Sequence, residues 1–264
     1  MSRPHAITLI SHVKKGSFSP CAFELGFGSG GLPPIVIDLG DNRRRFLTGK
    51  VDRVDILDDS GNVYVKIIDY KTSDRSFSVQ DIYYGLQLQL MIYIDAILKS
   101  GIFKGKTLLP GGVFYFVIKD PIIQASEDLT AEDIMLLIEK KLKMSGLVLM
   151  DEKVIRALDS TFQKESDVIP VSYKTDGSFS QSSSVVNQKT FMAIMDYCRK
   201  TAADIGRGIV SGNINPLPYV NGSKTPCSYC AYKSACSFDP DSDRARILRS
   251  VKKEDIIKKI APEE

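Results

Sequence analysis

The sequence predicts an α/β fold in which a mixed sheet is flanked by helices and followed by a cysteine-rich segment. Strand-like segments come first, apolar segments with helical spacing follow them, and three cysteines cluster near the end of the chain. Strands interleaved with helices are typical of one shared core. The predicted strands are 35–39, 46–57, 63–71 and 111–118, and the predicted helices are 78–99, 131–144 and 185–209.

Turn and capping residues justify these elements. Residues 58–62 read Asp-Asp-Ser-Gly-Asn, a turn composition that predicts a β-hairpin between the strands on either side. Ser78 with Asp81 resembles a capping box at the start of helix 78–99, and Gly101 marks its end. Segment 111–118 is almost continuously apolar, as expected for a buried strand.

Composition and net charge limit the functional classes to which this chain could belong. The chain has 264 residues and a net charge of +3, which is too near neutral to signal a nucleic-acid binder by bulk charge. No apolar run reaches the roughly 18 residues of a membrane span, and the first residues carry no apolar signal core, so we expect a cytoplasmic protein without a membrane partner. His5 and His12 have no evident nucleophilic partner, and we expect both at the surface.

The predicted hairpin carries the strongest chemical signal. Asp52 and Asp69 lie at equal distances from the junction of Ser60 and Gly61, so a symmetric hairpin places them directly opposite each other. Lys71 shares their face, because side chains alternate along a strand. A register slip or a bulge would undo this arrangement.

Two opposed carboxylates and a lysine suit a hard divalent cation, Mg²⁺ or Mn²⁺, held by oxygen ligands. The Tyr70 carbonyl is a further candidate ligand, and Lys71 could orient or help deprotonate a water. The alternative is a surface hairpin with a simple ion pair between Asp69 and Lys71. Asp55 and Arg53 are interpreted as structural, with Asp55 on the opposite face.

Gln89 and Tyr93 lie four residues apart and share one face of helix 78–99. They interrupt an apolar stripe, so they either face the carboxylate site or a DNA backbone, or they belong to the margin of the core.

Three motifs in this order resemble the RecB-type branch of the PD-(D/E)xK, restriction-endonuclease-like, nuclease superfamily. They are Gly49-Lys50-Val51-Asp52-Arg53-Val54-Asp55, Ile68-Asp69-Tyr70-Lys71-Thr72 and Gln89-x-x-x-Tyr93. The resemblance implies that Asp52 and Asp69 bind Mg²⁺, that Lys71 is catalytic, and that Gln89 and Tyr93 line the site. It therefore implies a metal-dependent deoxyribonuclease.

Cys227, Cys230 and Cys236 form a C-x₂-C-x₅-C pattern. Thiolates at this spacing can surround one metal centre, but zinc or an iron–sulfur cluster needs a fourth ligand. Neither Cys21 nor Cys198 is singled out by its spacing, and both are expected to be small apolar residues.

The segment around these cysteines resembles the C-terminal nuclease domain of AddB-type helicase–nuclease subunits. The motifs are Phe18-x-Pro20-x-x-x-Glu24-x-x-Phe27-Gly28, Asn213-x-Asn215-Pro216-x-x-Tyr219 and Phe238-Asp239-Pro240. The resemblance implies a [4Fe–4S] cluster completed by a distant cysteine, expected before residue 1 and so missing here. An upstream His or Glu metal ligand is also expected, with Glu24 as a weak substitute. The implied partners are single-stranded DNA and an AddA-like helicase subunit, with a role in double-strand-break repair and recombination.

Two glycine motifs are rejected. Gly26–Gly31 matches G-x-G-x-x-G, but Leu32-Pro33-Pro34 follows it where a dinucleotide site needs a helix. Gly105-Lys106-Thr107 resembles the end of a P-loop, yet Ser100 occupies the position of the required first glycine. We therefore expect no ATP site.

Charge is unevenly distributed. Residues 43–53 and residues 199–236 each carry a net charge of +4. Such stretches beside carboxylates suit a phosphate backbone, although a solvated face is the simpler alternative.

The sequence thus predicts a nuclease domain over residues 1–215, a cysteine-rich metal segment over 216–240 and a charged tail over 241–264. Two further hypotheses are a non-catalytic DNA-binding module of the same fold and a zinc-stabilised interaction domain.

Overall fold

The computed structural model describes residues 3–28, 31–123 and 129–262. The strands are β1 (Ser19–Phe27), β2 (Ile35–Gly40), β3 (Arg43–Leu47), β4 (Gly49–Asp59), β5 (Asn62–Lys71), β6 (Thr107–Val117), β7 (Ser145–Leu149), β8 (Val185–Val186), β9 (Tyr219–Val220) and β10 (Arg246–Ile247). The helices are α1 (Arg3–Lys15), α2 (Val79–Tyr83), α3 (Gln89–Lys99), α4 (Ala131–Lys141), α5 (Glu152–Leu158), α6 (Gln188–Val210) and α7 (Lys253–Ile260).

The central sheet has six strands in the order β1-β4-β5-β6-β7-β8. Strand β5 pairs in antiparallel fashion with β4 and in parallel with β6, so the sheet is mixed. Strands β2 and β3 form a separate hairpin, and β9 pairs with β10. The predicted α/β class with a mixed sheet is confirmed.

The β4–β5 hairpin has the symmetric register predicted from its turn. Its pairs run from Arg53 with Ile68 to Asp59 with Asn62, so Asp52 and Asp69 are the next positions along the same register. Gly61 turns the chain with a φ of 104°, a left-handed value that glycine adopts without strain.

The sheet separates two apolar cores because side chains alternate along each strand. One core packs against α3 and α6 and includes Ile67, Ile94 and Phe191. The other core packs against α1, α4 and α5 and includes Phe116 and Ile155. The site residues Asp69 and Lys71 alternate with the residues of the second core, so they lie on the α3 side.

Two sequence expectations need correction. No element is predicted before residue 35, whereas the structure forms α1 over Arg3–Lys15 and β1 over Ser19–Phe27, and Ser29 and Gly30 of the glycine motif lie outside the described residues. Helix 78–99 is two helices, α2 and α3, because Gly85 turns the chain with a φ of 77°. The predicted charged tail over 241–264 contains α7, whose Ile256 is fully buried.

Buried Gln87 stabilises the break between α2 and α3. Its side-chain amide donates to the Ser76 carbonyl at 2.9 Å and to Asp81 at 3.0 Å, and its carbonyl accepts from the Ser78 backbone at 3.1 Å. Ser78 caps α2 as predicted, accepting from the Asp81 backbone at 3.1 Å.

None of the helices in the described part of the chain is long and apolar enough to cross a bilayer.

A buried charge cluster lies on the α1 side of the hairpin. Asp55 is fully buried and accepts two hydrogen bonds from Arg53, at 2.6 and 2.8 Å. The Lys66 ammonium lies 2.7 Å from the same carboxylate, and Lys66 is the cross-strand partner of Asp55. Burial lowers the pKa of Lys66 although Asp55 opposes that effect. One carboxylate therefore balances two buried cations, and the structural interpretation of Asp55 and Arg53 agrees with these contacts.

We expect Asp55→Asn to destabilise the fold by about 3–5 kcal/mol, because it leaves two buried cations without a counter-charge. Lys66→Met should cost less than about 1 kcal/mol, because it leaves one matched ion pair in an apolar setting. Urea unfolding of both variants measures the difference. Equal losses would show that the cluster does not depend on its single carboxylate.

His12 is buried, which corrects the expectation of a surface residue, and so is His5. The His12 ring packs edge-on against Phe116 with centroids 6.0 Å apart. Burial, with the charges of Lys15 and Lys66, lowers its pKa to about 4 from its ordinary value of 6.5. The folded protein therefore holds His12 neutral.

Acid should destabilise the protein through His12. Between pH 6.5 and 4 the unfolded chain binds a proton at this position more readily than the folded chain, so stability falls as pH falls. The loss across that window is about 3 kcal/mol. Urea unfolding from pH 7 to pH 4 should show a shallower decline for His12→Phe, and the same slope in both proteins would refute the assignment.

Candidate active site

The predicted site residues meet at the carboxyl end of β5, beside the first turn of α3. Asp69 and Lys71 end β5, Asp52 comes from the neighbouring β4, and Gln89 begins α3. Tyr93 follows one turn later on that helix. The β4–β5 register and the break before α3 therefore bring the five side chains together.

Asp69 is the buried member of this group, with 4% of its surface exposed. The Lys71 ammonium lies 2.5 Å from its Oδ2 atom. Burial raises the pKa of the Asp69 carboxyl, the charge of Asp52 adds to that effect, and Lys71 opposes it. The carboxyl thus sits in a place that disfavours its ionised form unless more positive charge arrives.

Asp52 is anchored to the backbone of β5. Its Oδ2 atom accepts a hydrogen bond of 2.7 Å from the Tyr70 backbone N–H. The side chain thus crosses between strands where the regular pairing ends, beyond Arg53 and Ile68. This contact fixes the Asp52 carboxylate beside the peptide that joins Asp69 to Tyr70.

Gln89 and Tyr93 extend the site along α3. The Lys71 ammonium donates to Gln89 Oε1 at 3.4 Å, and the Gln89 amide donates to the Tyr93 hydroxyl at 3.4 Å. The Tyr93 ring stacks on Phe27 with centroids 5.6 Å apart. Gln89 therefore faces the carboxylate site, whereas Tyr93 contacts Gln89 and also packs against the core, so its role at the site stays a prediction.

Asp52 and Asp69 supply two carboxylates of the kind that hold a divalent cation, and in the structure Asp69 also forms the ion pair with Lys71 that the alternative interpretation names. Asp69 Oδ2 is buried, Lys71 is its ion-pair partner, and the described residues place no further donor in hydrogen-bonding geometry on it. Mg²⁺ in proteins is commonly held by one or two carboxylates and keeps several waters. Within the described ranges no three His, Cys, Asp or Glu side chains form a metal-binding group, and the assignment of Asp52 and Asp69 as metal ligands stays a prediction. The Tyr70 carbonyl as a ligand stays a prediction.

Two residues near the site carry no signal in the sequence. Tyr115 is paired with Asp69 across the parallel β5–β6 ladder, and its ring lies 5.5 Å from the Lys71 ammonium. The Arg75 guanidinium lies 5.8 Å from the same ring, and its charge opposes the rise in the Asp69 pKa. No periodic pattern marks Arg75, which lies in a loop. Only the pairing of β5 with β6 would have revealed it.

The three clustered cysteines are not assembled into a metal site. Cys230 and Cys236 are exposed, Cys227 is half-buried, and all three thiols are free. Since no metal-binding group occurs in the part of the chain that the structure describes, their predicted role as ligands stays a prediction.

The two isolated cysteines differ from each other. Cys198 is fully buried, and burial raises its pKa to about 12, so it packs as an inert apolar residue, as predicted. Cys21 is exposed on β1, which corrects the same expectation for that residue.

The basic stretch over 43–53 is only partly a surface charge. Arg43, Arg44 and Arg45 are exposed on β3, but Arg53 is buried against Asp55, and Lys50 forms an ion pair with Glu24. Within 199–236, Arg199 lies 3.4 Å from the buried carboxylate of Asp95. Local net charge in the sequence therefore overstates the free positive charge near the site.

Comparisons with known proteins show which family and which relatives this chain resembles. The family model of the PD-(D/E)XK nuclease superfamily matches residues 3–237. The chain is 44% identical over 258 residues to a Clostridium kluyveri protein, covering 96% of this chain and 22% of that protein. That relative is named as a subunit of an ATP-dependent helicase/deoxyribonuclease.

Proteins of the same name from Alkaliphilus oremlandii and Acetivibrio thermocellus are 40% and 38% identical. The alignments cover 97% and 98% of this chain and 23% of each relative. The chain thus spans less than a quarter of the length of these relatives.

Gly49 permits the close approach of Tyr93. A Cβ atom at Gly49 would lie 2.4 Å from the Tyr93 hydroxyl and 3.0 Å from the ring carbon that bears it. We expect Gly49→Ala to cost about 1–3 kcal/mol of stability through overpacking. Tyr93→Phe should recover part of that loss in the double variant, because it removes the closest atom.

A double-mutant cycle in urea measures this coupling. Gly208→Ala is the control, since a Cβ there meets nothing within 4 Å, and it should be neutral or gain up to about 1 kcal/mol in the helix. Strictly additive losses at Gly49 and Tyr93 would contradict the contact.

Proposed function

We infer that this chain, which belongs to the PD-(D/E)XK nuclease superfamily, hydrolyses DNA phosphodiester bonds with the help of Mg²⁺ or Mn²⁺. One observation carries the proposal. Buried Asp69 lies beside Asp52 and Lys71 at a strand end, and within the described residues its Oδ2 atom has no partner other than the Lys71 ammonium. A site of this kind favours the arrival of a cation.

In the proposed reaction, the two carboxylates would hold the cation and Lys71 would orient the water. Asp52 and Asp69 would hold the metal ion, which when bound lowers the pKa of a water and neutralises charge on the phosphate. Lys71 lies within reach of both Asp69 and Gln89, so its ammonium would orient the attacking water and stabilise charge that develops on the phosphate oxygens. Gln89 holds Lys71 towards the site, and Tyr93 supports Gln89.

The wider role is proposed from the relatives. Their printed name describes a subunit of an ATP-dependent helicase/deoxyribonuclease. We propose that this chain acts as an exonuclease on single-stranded DNA delivered by an AddA-like helicase partner, in double-strand-break repair and recombination. The proposal places it in the reducing cytoplasm, with which its free cysteines are compatible.

The cysteines take no part in the proposed hydrolysis. The C-x₂-C-x₅-C pattern still predicts a [4Fe–4S] cluster or zinc, but the three thiols present do not fit either as they stand, because two are exposed and no fourth ligand accompanies them in the described residues. The hypothesis of a zinc-stabilised interaction domain depends on the same missing ligand.

We expect Asp69→Asn to reduce the rate at which a single-stranded oligonucleotide is cleaved in Mg²⁺ by about a hundredfold or more. The variant is nearly isosteric and removes only the charge that holds the cation. It should fold at least as well as the parent, because burial already disfavours the charged form of Asp69 and raises its pKa.

Asp58→Asn is the matched control on the same hairpin. Asp58 is exposed near the turn, where it pairs with Lys106 far along β4 from the site, and its removal should leave cleavage unchanged. Gel-based cleavage with and without EDTA measures both variants. If Asp69→Asn cleaves as fast as the parent, the proposal falls, and DNA binding without any cleavage would favour the non-catalytic module.

A further inference from the structure

A groove with converging positive charge lies beside the proposed active site. Its cavity has a volume of about 670 Å³. We call it the basic groove and define it by the cations Arg75, Lys119, Lys141 and Lys224 and the carboxylates Asp74 and Asp120.

Arg75 connects the basic groove to the proposed active site. This residue lines the groove, and its guanidinium also lies 5.8 Å from the Tyr115 ring, next to Asp69 and Lys71. The groove begins where the parallel strands β5 and β6 end. Crevices beyond the carboxyl ends of parallel strands are where open α/β sheets bind ligands.

The four cations come from different parts of the chain, so they are not one solvated helix face. Arg75 follows β5, Lys119 follows β6, Lys141 ends α4, and Lys224 lies in the loop that carries the cysteines. A chain segment with a simple run of lysines would not bring charges from four elements to one cavity.

The groove keeps free positive charge after its internal contacts are counted. Lys119 is paired with Asp74 at 2.6 Å. The Lys141 ammonium lies 2.5 Å from the Ile122 carbonyl, a neutral partner, and no carboxylate of the described residues forms an ion pair with it. Lys224 is exposed. Among the described residues that line the groove, four cations against two carboxylates leave two net positive charges.

We propose that the basic groove binds the phosphate backbone of one DNA strand as it passes the active site, with Lys141 and Lys224 contacting phosphates away from the cleaved bond. This rests on the proposed function and adds the path of the substrate. A polyanionic strand suits charges spread along a groove, whereas a single small anion would need them at one point.

Binding without catalysis tests the groove directly. Fluorescence anisotropy of a labelled single-stranded oligonucleotide, in EDTA, would compare the parent with Lys141→Gln, Lys224→Gln and Lys140→Gln. Lys140 is the control, because it precedes Lys141 on α4 and is likewise exposed but does not line the groove. Circular dichroism verifies that each variant is folded.

We expect Lys141→Gln and Lys224→Gln each to weaken binding about fivefold, and to reduce the slope of log Kd against log salt by about 0.7 per phosphate contact. Lys140→Gln should match the parent. If Lys141→Gln and Lys140→Gln bind alike, or if the parent binds no oligonucleotide, the groove is not the path.

This outcome is separable from that of the proposed function. Cleavage by the parent with equal binding by the Lys140 and Lys141 variants would refute the groove and leave the nuclease. Groove-dependent binding without metal-dependent cleavage would refute the nuclease and leave the groove.

Discussion

The register of the β4–β5 hairpin is the constraint on which the rest of the structure depends. A slip of one residue would move Asp69 and Lys71 to the opposite face of the sheet. On that face, Asp55 and Lys66 are directly paired and almost fully buried. Any other register would separate these charges in a place without water, and a buried unpaired charge costs several kcal/mol.

The buried charge cluster and the candidate site therefore lie on opposite faces of one hairpin and depend on the same register. Asp55 opposite Lys66 on the α1 side enforces the register that puts Asp52 beside Asp69 on the α3 side. Such a pairing adds little net stability, since desolvation offsets the attraction, but it penalises the wrong alignments. The buried charge cluster on one face adds little stability, but the register that it selects fixes the carboxylate pair on the other face.

Part of the fold and of the candidate site could be predicted from the local sequence, and part could not. The turn at Ser60 and Gly61 fixes the hairpin, so the facing of Asp52 and Asp69 could be predicted by symmetry. The break at Gly85 could not, because the apolar spacing continues through it, and the left-handed φ of Gly85 and the hydrogen bonds of Gln87 appear only in the structure. Arg75 could not be predicted for a similar reason, since its relation to Asp69 depends on the non-local pairing of β5 with β6.

The break before α3 also explains how Gln89 reaches Lys71. A continuous helix from Ser78 would carry Gln89 in its interior, whereas in the structure Gln89 begins α3 and lies 3.4 Å from the lysine. The Gln89 side chain thus lies at the start of α3, and its position relative to Lys71 is set by the break before the helix as well as by helical spacing. Lys71 is held between Asp69 and Gln89 by two elements with independent anchors. Burial raises the pKa of Asp69 against the pull of Lys71, so additional positive charge at this position would favour the ionised form of Asp69.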